Sequence, residues 1–138
     1  MASRILVVDD SEGIRTLLAS LLGGRGYSVT TAPDGMLAWS LLQQSSVSYG
    51  LVVTDFIMPK MNGIELLEKI RAAYPWIKVV LVTGYGHPEN AIASRAQRMG
   101  AFAVLPKPCS FEQLHGTIKR ALLQSPTTEG GTVLRLCQ

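Results

Sequence analysis

Residues 49–63 read YGLVVTDFIMPKMNG, a strand pattern followed by turn residues. Its apolar run, Leu51 to Val53, has no polar interruption, which is typical of a strand buried on both faces of a sheet. The run ends at Asp55, and Pro59 and Asn62-Gly63 then break the regular pattern. The stretch therefore predicts an aspartate at the carboxyl end of a buried strand, where open α/β sheets place their ligands. We interpret this aspartate as a candidate functional residue.

Outward from this stretch, strand and helix patterns alternate along the chain. We predict strands at residues 4–8, 27–32, 49–54, 77–83 and 101–105. We predict helices at residues 14–22, 36–44, 62–74, 89–99 and 111–122, whose apolar stripes should pack in the core. This alternation predicts an α/β fold with a five-stranded parallel sheet, five helices on its two faces and right-handed crossovers.

Length and composition indicate one globular domain. The 138 residues are 47% hydrophobic and 17% charged, which excludes a disordered chain. No apolar run approaches the roughly 18 residues of a membrane span, and the N-terminus lacks a secretory pattern. Cys109 and Cys137 form no metal-binding spacing and are weak evidence for a disulfide. We expect a cytoplasmic protein with one domain at residues 1–124 and a mobile tail at 125–138.

The charges favour a local cation site over a nucleic-acid surface. The net charge is +3, and the basic residues are spread from Arg4 to Arg135 without a dense run. Only four aspartates occur, and three of them fall at predicted strand ends. We therefore expect protein partners, with no direct contact to nucleic acid or to a membrane.

Polar side chains follow four of the predicted strands. Asp9 and Asp10 follow the first strand, Asp55 the third, Thr83 the fourth and Lys107 the fifth. Three converging carboxylates repel one another unless a positive charge intervenes, and Mg²⁺ prefers such hard oxygen ligands. The lysine adds a compact charge suited to a phosphoryl oxygen. This set suits phosphoryl transfer onto a carboxylate.

Four motifs together resemble the receiver domain of two-component response regulators. They are VVDD at 7–10, TDFIMPKMNG at 54–63, VTG at 82–84 and LPKP at 105–108. The resemblance covers roughly residues 4–124. It implies a flavodoxin-like, doubly wound sheet of order 2-1-3-4-5. It also implies Mg²⁺-dependent transfer of a phosphoryl group from the phosphohistidine of a sensor kinase.

The resemblance also implies a role for each site residue. Asp55 is the phosphoacceptor, Thr83 is the switch hydroxyl and Lys107 contacts the phosphoryl group. The bond before Pro108 is expected to be cis, which only an X-Pro bond adopts at low cost. The implied Mg²⁺ ligands are the carboxylates of Asp9, Asp10 and Asp55 and the backbone carbonyl of Ile57.

The implied activity is that of a signalling switch, which catalyses only its own phosphorylation and dephosphorylation. The implied upstream partner is a sensor histidine kinase or a phosphotransfer protein. The implied downstream partner is a separate protein target or a covalently linked output domain. The chain could be a stand-alone receiver or part of a larger protein such as a hybrid kinase.

Several positions depart from the family pattern. Val104 stands where receivers commonly carry an aromatic residue that rotates inward, and strand alternation predicts that Phe102 shares its face. Cys109 stands where Phe is frequent. Ile57 and Tyr85 flank the expected phosphate site, and we hypothesise that they hinder attacking water and lengthen the life of the acyl phosphate. An unchanged dephosphorylation rate in Ile57→Asn would count against that hypothesis.

Other interpretations remain open at this stage. Asp9, Asp10 or Ser11 could simply cap the first helix. A phosphatase with an aspartyl intermediate usually has a second acid two residues after the nucleophile, where this chain has Ile57. A phosphate-independent pseudo-receiver, which serves only as an interaction module, is the main alternative. Flavin binding would place a phosphate against two aspartates after the first strand, which disfavours it.

Overall fold

The computed structural model describes residues 4–44, 48–58, 60–84 and 89–124. The expectations for Tyr85 and for the tail at 125–138 lie outside the described residues. Within the described ranges, no helix is long and apolar enough to cross a bilayer.

The described elements alternate as the sequence predicts. The strands are β1 (Arg4–Val8), β2 (Ser28–Ala32), β3 (Tyr49–Asp55), β4 (Lys78–Thr83) and β5 (Ala103–Pro106). The helices are α1 (Glu12–Gly24), α2 (Gly35–Leu42), α3 (Gly63–Ala73), α4 (Glu89–Arg98) and α5 (Phe111–Leu123). All strand pairs are parallel, and the order β2-β1-β3-β4-β5 confirms the predicted topology.

Local signals explain where the helices begin. The side chains of Ser11, Asp34, Asn62 and Ser110 each accept a hydrogen bond from a backbone N–H in the first turn of a helix. Each cap lies just outside its helix, which is why α3 is shorter than the predicted range 62–74. The chain leaves α4 through Gly100, whose φ of 103° favours glycine.

The sheet is buried on both faces. On β1, Leu6 contributes to the core layer beneath α2 and α3, whereas its neighbour Ile5 contributes to the layer beneath α1 and α5. Val52 and Leu51 divide between the same two layers on β3. This alternation across a two-sided sheet is why the strands read as continuous apolar runs.

The prediction that the whole stripe of α1 packs in the core is wrong. Leu22 is fully buried, but 37% of Ile14, 51% of Leu17 and 36% of Leu21 are exposed. These side chains face a cavity of 440 Å³ between α1 and α5. The stripe is apolar over its whole length, but α5 does not close over it.

The prediction that Phe102 and Val104 share a face is also wrong. Val104 packs against the layer beneath α2 and α3, and Phe102 packs against the layer beneath α5. The reason is that β5 begins at Ala103, later than the predicted start at 101. Side-chain alternation holds only inside a strand, and Phe102 lies before it.

Candidate functional site

Asp55 ends β3 and is only 7% exposed. The loop after it is held by two backbone hydrogen bonds: Phe56 N–H donates to the Val82 carbonyl, and Gly63 N–H donates to the Phe56 carbonyl, both at 2.9 Å. A Cβ on Gly63 would lie 2.5 Å from the backbone oxygen of Asp55. Glycine at the start of α3 therefore allows the helix to approach the acidic residue this closely.

Two further carboxylates lie at the end of β1. Asp9 is buried and Asp10 is exposed. Ligand oxygens of these two aspartates and of Asp55 lie within 4.8 Å of one another. Ser11 caps α1 by accepting from the Ile14 N–H at 3.2 Å. The capping role thus belongs to the serine, which leaves both aspartates for the pocket.

Lys107 links this acidic cluster to β5. Its Nζ donates to Asp55 Oδ2 at 2.9 Å and lies 3.5 Å from Asp9 Oδ2. Its backbone N–H donates to the Thr83 carbonyl at 2.7 Å, which fixes the end of β5 against β4. The peptide bond between Lys107 and Pro108 is cis.

Burial and nearby charges shift the pKa values of Asp55 and Lys107. Burial raises the pKa of Asp55, and the hydrogen bond and charge of Lys107 oppose this only in part. Burial lowers the pKa of Lys107, but the hydrogen bonds and charges of Asp55 and Asp9 outweigh it, so the net change is upward. Like charge next to a buried carboxyl group is unfavourable, and a nearby cation relieves it.

The donor set fits a divalent metal ion. With the carboxylates ionised, the three acids carry more negative charge than the single Lys107 ammonium balances. Carboxylate oxygens at this spacing are the donors that Mg²⁺ prefers. The exposure of Asp10 leaves one side of the cluster open to water, which Mg²⁺ usually retains.

Thr83 and Ile57 are the two other residues of the predicted site. Thr83 ends β4, is buried, and lies one position beyond Val82, the register partner of Asp55. Ile57 follows two residues after Asp55 and is 49% exposed. The roles assigned to the Thr83 hydroxyl and the Ile57 carbonyl stay predictions.

The sequence did not reveal the apolar cavity beside the acidic cluster. Asp9, Asp55 and Lys107 line one part of it, and the exposed stripe of α1 lines another. The only hint of the cavity in the sequence was the large number of apolar residues in that stripe, from Ile14 to Leu22. Periodicity shows which face of a helix is apolar, but it does not show what covers that face.

Comparisons with known proteins agree with this geometry. The family model for the response regulator receiver domain matches residues 5–119. The transcriptional regulatory protein ZraR of Escherichia coli is 38% identical over 128 residues, which are 93% of this chain and 28% of that protein. The sensor kinase CckA of Brucella abortus is 35% identical over 121 residues, which are 88% of this chain and 13% of that protein.

Solved structures share the architecture. A response regulator receiver domain protein from Clostridium thermocellum has a TM-score of 0.80 and 29% identity, with 99% of each chain covered. The chemotaxis response regulator CheY4 of Vibrio cholerae has a TM-score of 0.78 and 30% identity, with 88% of this chain and 99% of that chain covered.

The chain spans 28% of the length of ZraR and 13% of the length of CckA. The matched segment is thus a small part of each relative. The family model matches most of the chain, from residue 5 to residue 119. This chain therefore belongs to the response regulator receiver domain family.

Proposed function

We propose that Asp55 is the phosphoacceptor of this receiver domain. The observation that carries the proposal is the group of three carboxylates within 4.8 Å, with the Lys107 ammonium 2.9 Å from Asp55. A buried carboxylate between a cation site and a lysine suits phosphoryl transfer, where catalysis is mostly positioning and charge neutralisation.

Mg²⁺ would be held by the carboxylates of Asp9, Asp10 and Asp55 and by the backbone carbonyl of Ile57. When bound, it supplies positive charge to the phosphoryl oxygens. Two hydrogen bonds fix Asp9: Ser11 N–H donates to Asp9 Oδ1 at 2.9 Å, and the Arg15 guanidinium donates to the Asp9 carbonyl at 2.9 Å. These bonds would hold the Asp9 carboxylate in place for the cation.

The transfer forms an acyl phosphate. A carboxylate oxygen of Asp55 attacks the phosphorus as the P–N bond to the donor imidazole breaks, and the electron pair of that bond stays on the imidazole nitrogen. Lys107 already contacts the acceptor carboxylate, so its ammonium can pair with a phosphoryl oxygen after transfer. The donor would be a sensor histidine kinase or a phosphotransfer protein.

The output follows from the position of Thr83 and Lys107. Both lie at the β4–β5 edge of the sheet, and each would contact a phosphoryl oxygen on Asp55. Their movement would bias the surface of α4, β5 and α5 between two arrangements that a protein partner distinguishes. The partner would be a separate protein or a linked output domain, and any contact with DNA would belong to such a domain.

The proposal is tested by phosphorylating the full chain with acetyl phosphate, with and without Mg²⁺, and recording the intact mass. We expect an adduct of one phosphoryl group that requires Mg²⁺ and is absent from Asp55→Asn. Circular dichroism of the variant checks that it folds. The same adduct in Asp55→Asn would identify another acceptor. No adduct in the wild type would favour the phosphate-independent interaction module.

A further inference from the structure

An apolar groove runs between α1 and α5 beside the acidic cluster. We define the α1–α5 groove by side chains from both helices and from the sheet between them: Ile14, Leu17, Leu21, Val53, Val82 and Leu114. Its volume of 440 Å³ is in the range of sites that hold a ligand or a peptide segment.

The groove leaves apolar side chains of α1 exposed to water. Half of Leu17 is exposed, and Ile14 and Leu21 beside it are each more than one third exposed. Burial of contiguous apolar surface is favourable, and patches of this kind mark places where another segment packs. The sheet also contributes apolar side chains to the lining, Val53 and Val82 among them.

The chain itself carries a segment of matching chemistry after α5. Residues 132–136 read TVLRL, and a polar stretch, SPTTEGG at 125–131, separates them from the helix. In an extended segment Leu134 and Leu136 share one face, and Arg135 lies on the other. Such a segment can place two leucines in a groove and leave its arginine in water.

The length of the connecting stretch is sufficient. The end of α5 is held near the start of β4, because Lys78 Nζ donates to the carbonyls of Ala121 at 3.3 Å and Gln124 at 3.2 Å. The return path along α5 is about 20 Å for its 13 residues. Eight extended residues, 125–132, span about 26 Å.

We propose that residues 133–136 dock in the α1–α5 groove, with Leu134 and Leu136 against Leu17 and Leu21. The docked segment covers exposed apolar surface of α1. This docking does not depend on the proposed function.

The two cysteines provide a direct test of docking. Cys109 lines the cavity next to the start of α5, and Cys137 follows Leu136 directly. A disulfide requires Cα atoms within about 7 Å of each other, so its formation reports proximity. The reduced full chain would be oxidised by glutathione disulfide, and the intramolecular bond would be quantified by alkylation and mass spectrometry.

The decisive comparison is between variants with the same change of charge. Leu134→Asp/Leu136→Asp removes the two apolar anchors, and we expect it to slow the intramolecular disulfide by about tenfold or more. Thr127→Asp/Thr128→Asp places the same charges in the connecting stretch, and we expect its rate to match the wild type. Equal rates in the wild type and the leucine variant would overturn the proposal.

The groove side is tested in the same assay. Leu17→Asp should slow the reaction as the tail variant does, whereas Thr16→Asp, an exposed neighbour on α1, should not. If Leu17→Asp proves unfolded by circular dichroism, the tail variants decide alone, because they alter no residue that lines the groove. Disulfides that form mainly between two chains would overturn the proposal in favour of a second copy in the groove.

Discussion

The Lys107 ammonium should have opposite effects on a metal ion and on a phosphoryl group at the acidic cluster. It lies 2.9 Å from Asp55 Oδ2 and 3.5 Å from Asp9 Oδ2, so it neutralises part of the charge that would attract a metal ion. If Asp55 accepts a phosphoryl group as proposed, the same ammonium would then lie beside an anionic phosphoryl oxygen. On that proposal, the lysine should weaken binding of the metal ion alone and stabilise the phosphorylated state.

We predict that Lys107→Met raises the affinity for Mg²⁺ roughly three- to tenfold, because it removes a positive charge that lies beside the carboxylates proposed to bind the ion. Isothermal titration calorimetry with Mg²⁺ measures the change. Lys60→Met is the control, since Lys60 Nζ lies 3.7 Å from Asp34 and outside the cluster. A lower affinity in Lys107→Met would show that the lysine supports the metal site.

The start of α1 could be predicted from the sequence, whereas the exposure of its apolar face and the side-chain directions around β5 could not. The helix starts follow from local chemistry: Ser11 and Asn62 accept bonds from backbone N–H groups next to them in the chain. The exposure of Leu17 and the face taken by Phe102 depend on contacts made by distant segments. Apolar periodicity and side-chain alternation describe a single helix or strand. They therefore cannot predict that two elements pack together incompletely.

The α1 result predicts unequal costs for two leucines of the same helix. Leu22→Ala should lower the free energy of unfolding by about 2–5 kcal/mol, because the side chain is fully buried in the core. The second leucine is tested in the Leu134→Asp/Leu136→Asp background, in which no tail segment covers the groove. There, Leu17→Ala should cost less than about 1 kcal/mol, because half of Leu17 is exposed. Urea unfolding followed by circular dichroism measures both. Equal costs would mean that α1 and α5 close over the groove in solution.

The start of α5 is stabilised by a capping box formed by Ser110 and Gln113. Ser110 Oγ accepts from the Gln113 N–H at 3.0 Å, and the Gln113 side chain accepts from the Ser110 N–H at 3.1 Å. Ser110→Ala should therefore cost about 1 kcal/mol of unfolding free energy. Ser40→Ala, an exposed change in the middle of α2, serves as the control and should be neutral or slightly stabilising.

The whole molecule brings the site together from separate parts of the chain. The sheet order places the ends of β1 and β3 side by side, so Asp9, Asp10 and Asp55 meet at one edge. This much follows from the sequence, because parallel strands between helices put their carboxyl ends on one side. The distances and the balance of charge follow only from the folded structure. Folding therefore concentrates negative charge, and a bound cation should stabilise the whole domain.

We predict that Mg²⁺ raises the midpoint of thermal unfolding and that Asp10→Asn reduces this increase. At ten times the dissociation constant, the ion should add about 1.4 kcal/mol by mass action. That energy corresponds to a few degrees, about 4 °C per kcal/mol, for a domain of this size. Without Mg²⁺, Asp10→Asn should be at least as stable as the wild type, because it removes one of three mutually repelling carboxylates.

Thermal scans with and without Mg²⁺ measure both effects. Glu12→Gln is the matched control, because Glu12 is an exposed acid in the first turn of α1 and is not a member of the acidic cluster. It should keep the full response to Mg²⁺. If Asp10→Asn keeps it too, the ion stabilises the domain elsewhere, and the cluster at the strand ends is not the metal site. If only Asp10→Asn weakens the response, the acidic cluster at the strand ends is the metal site.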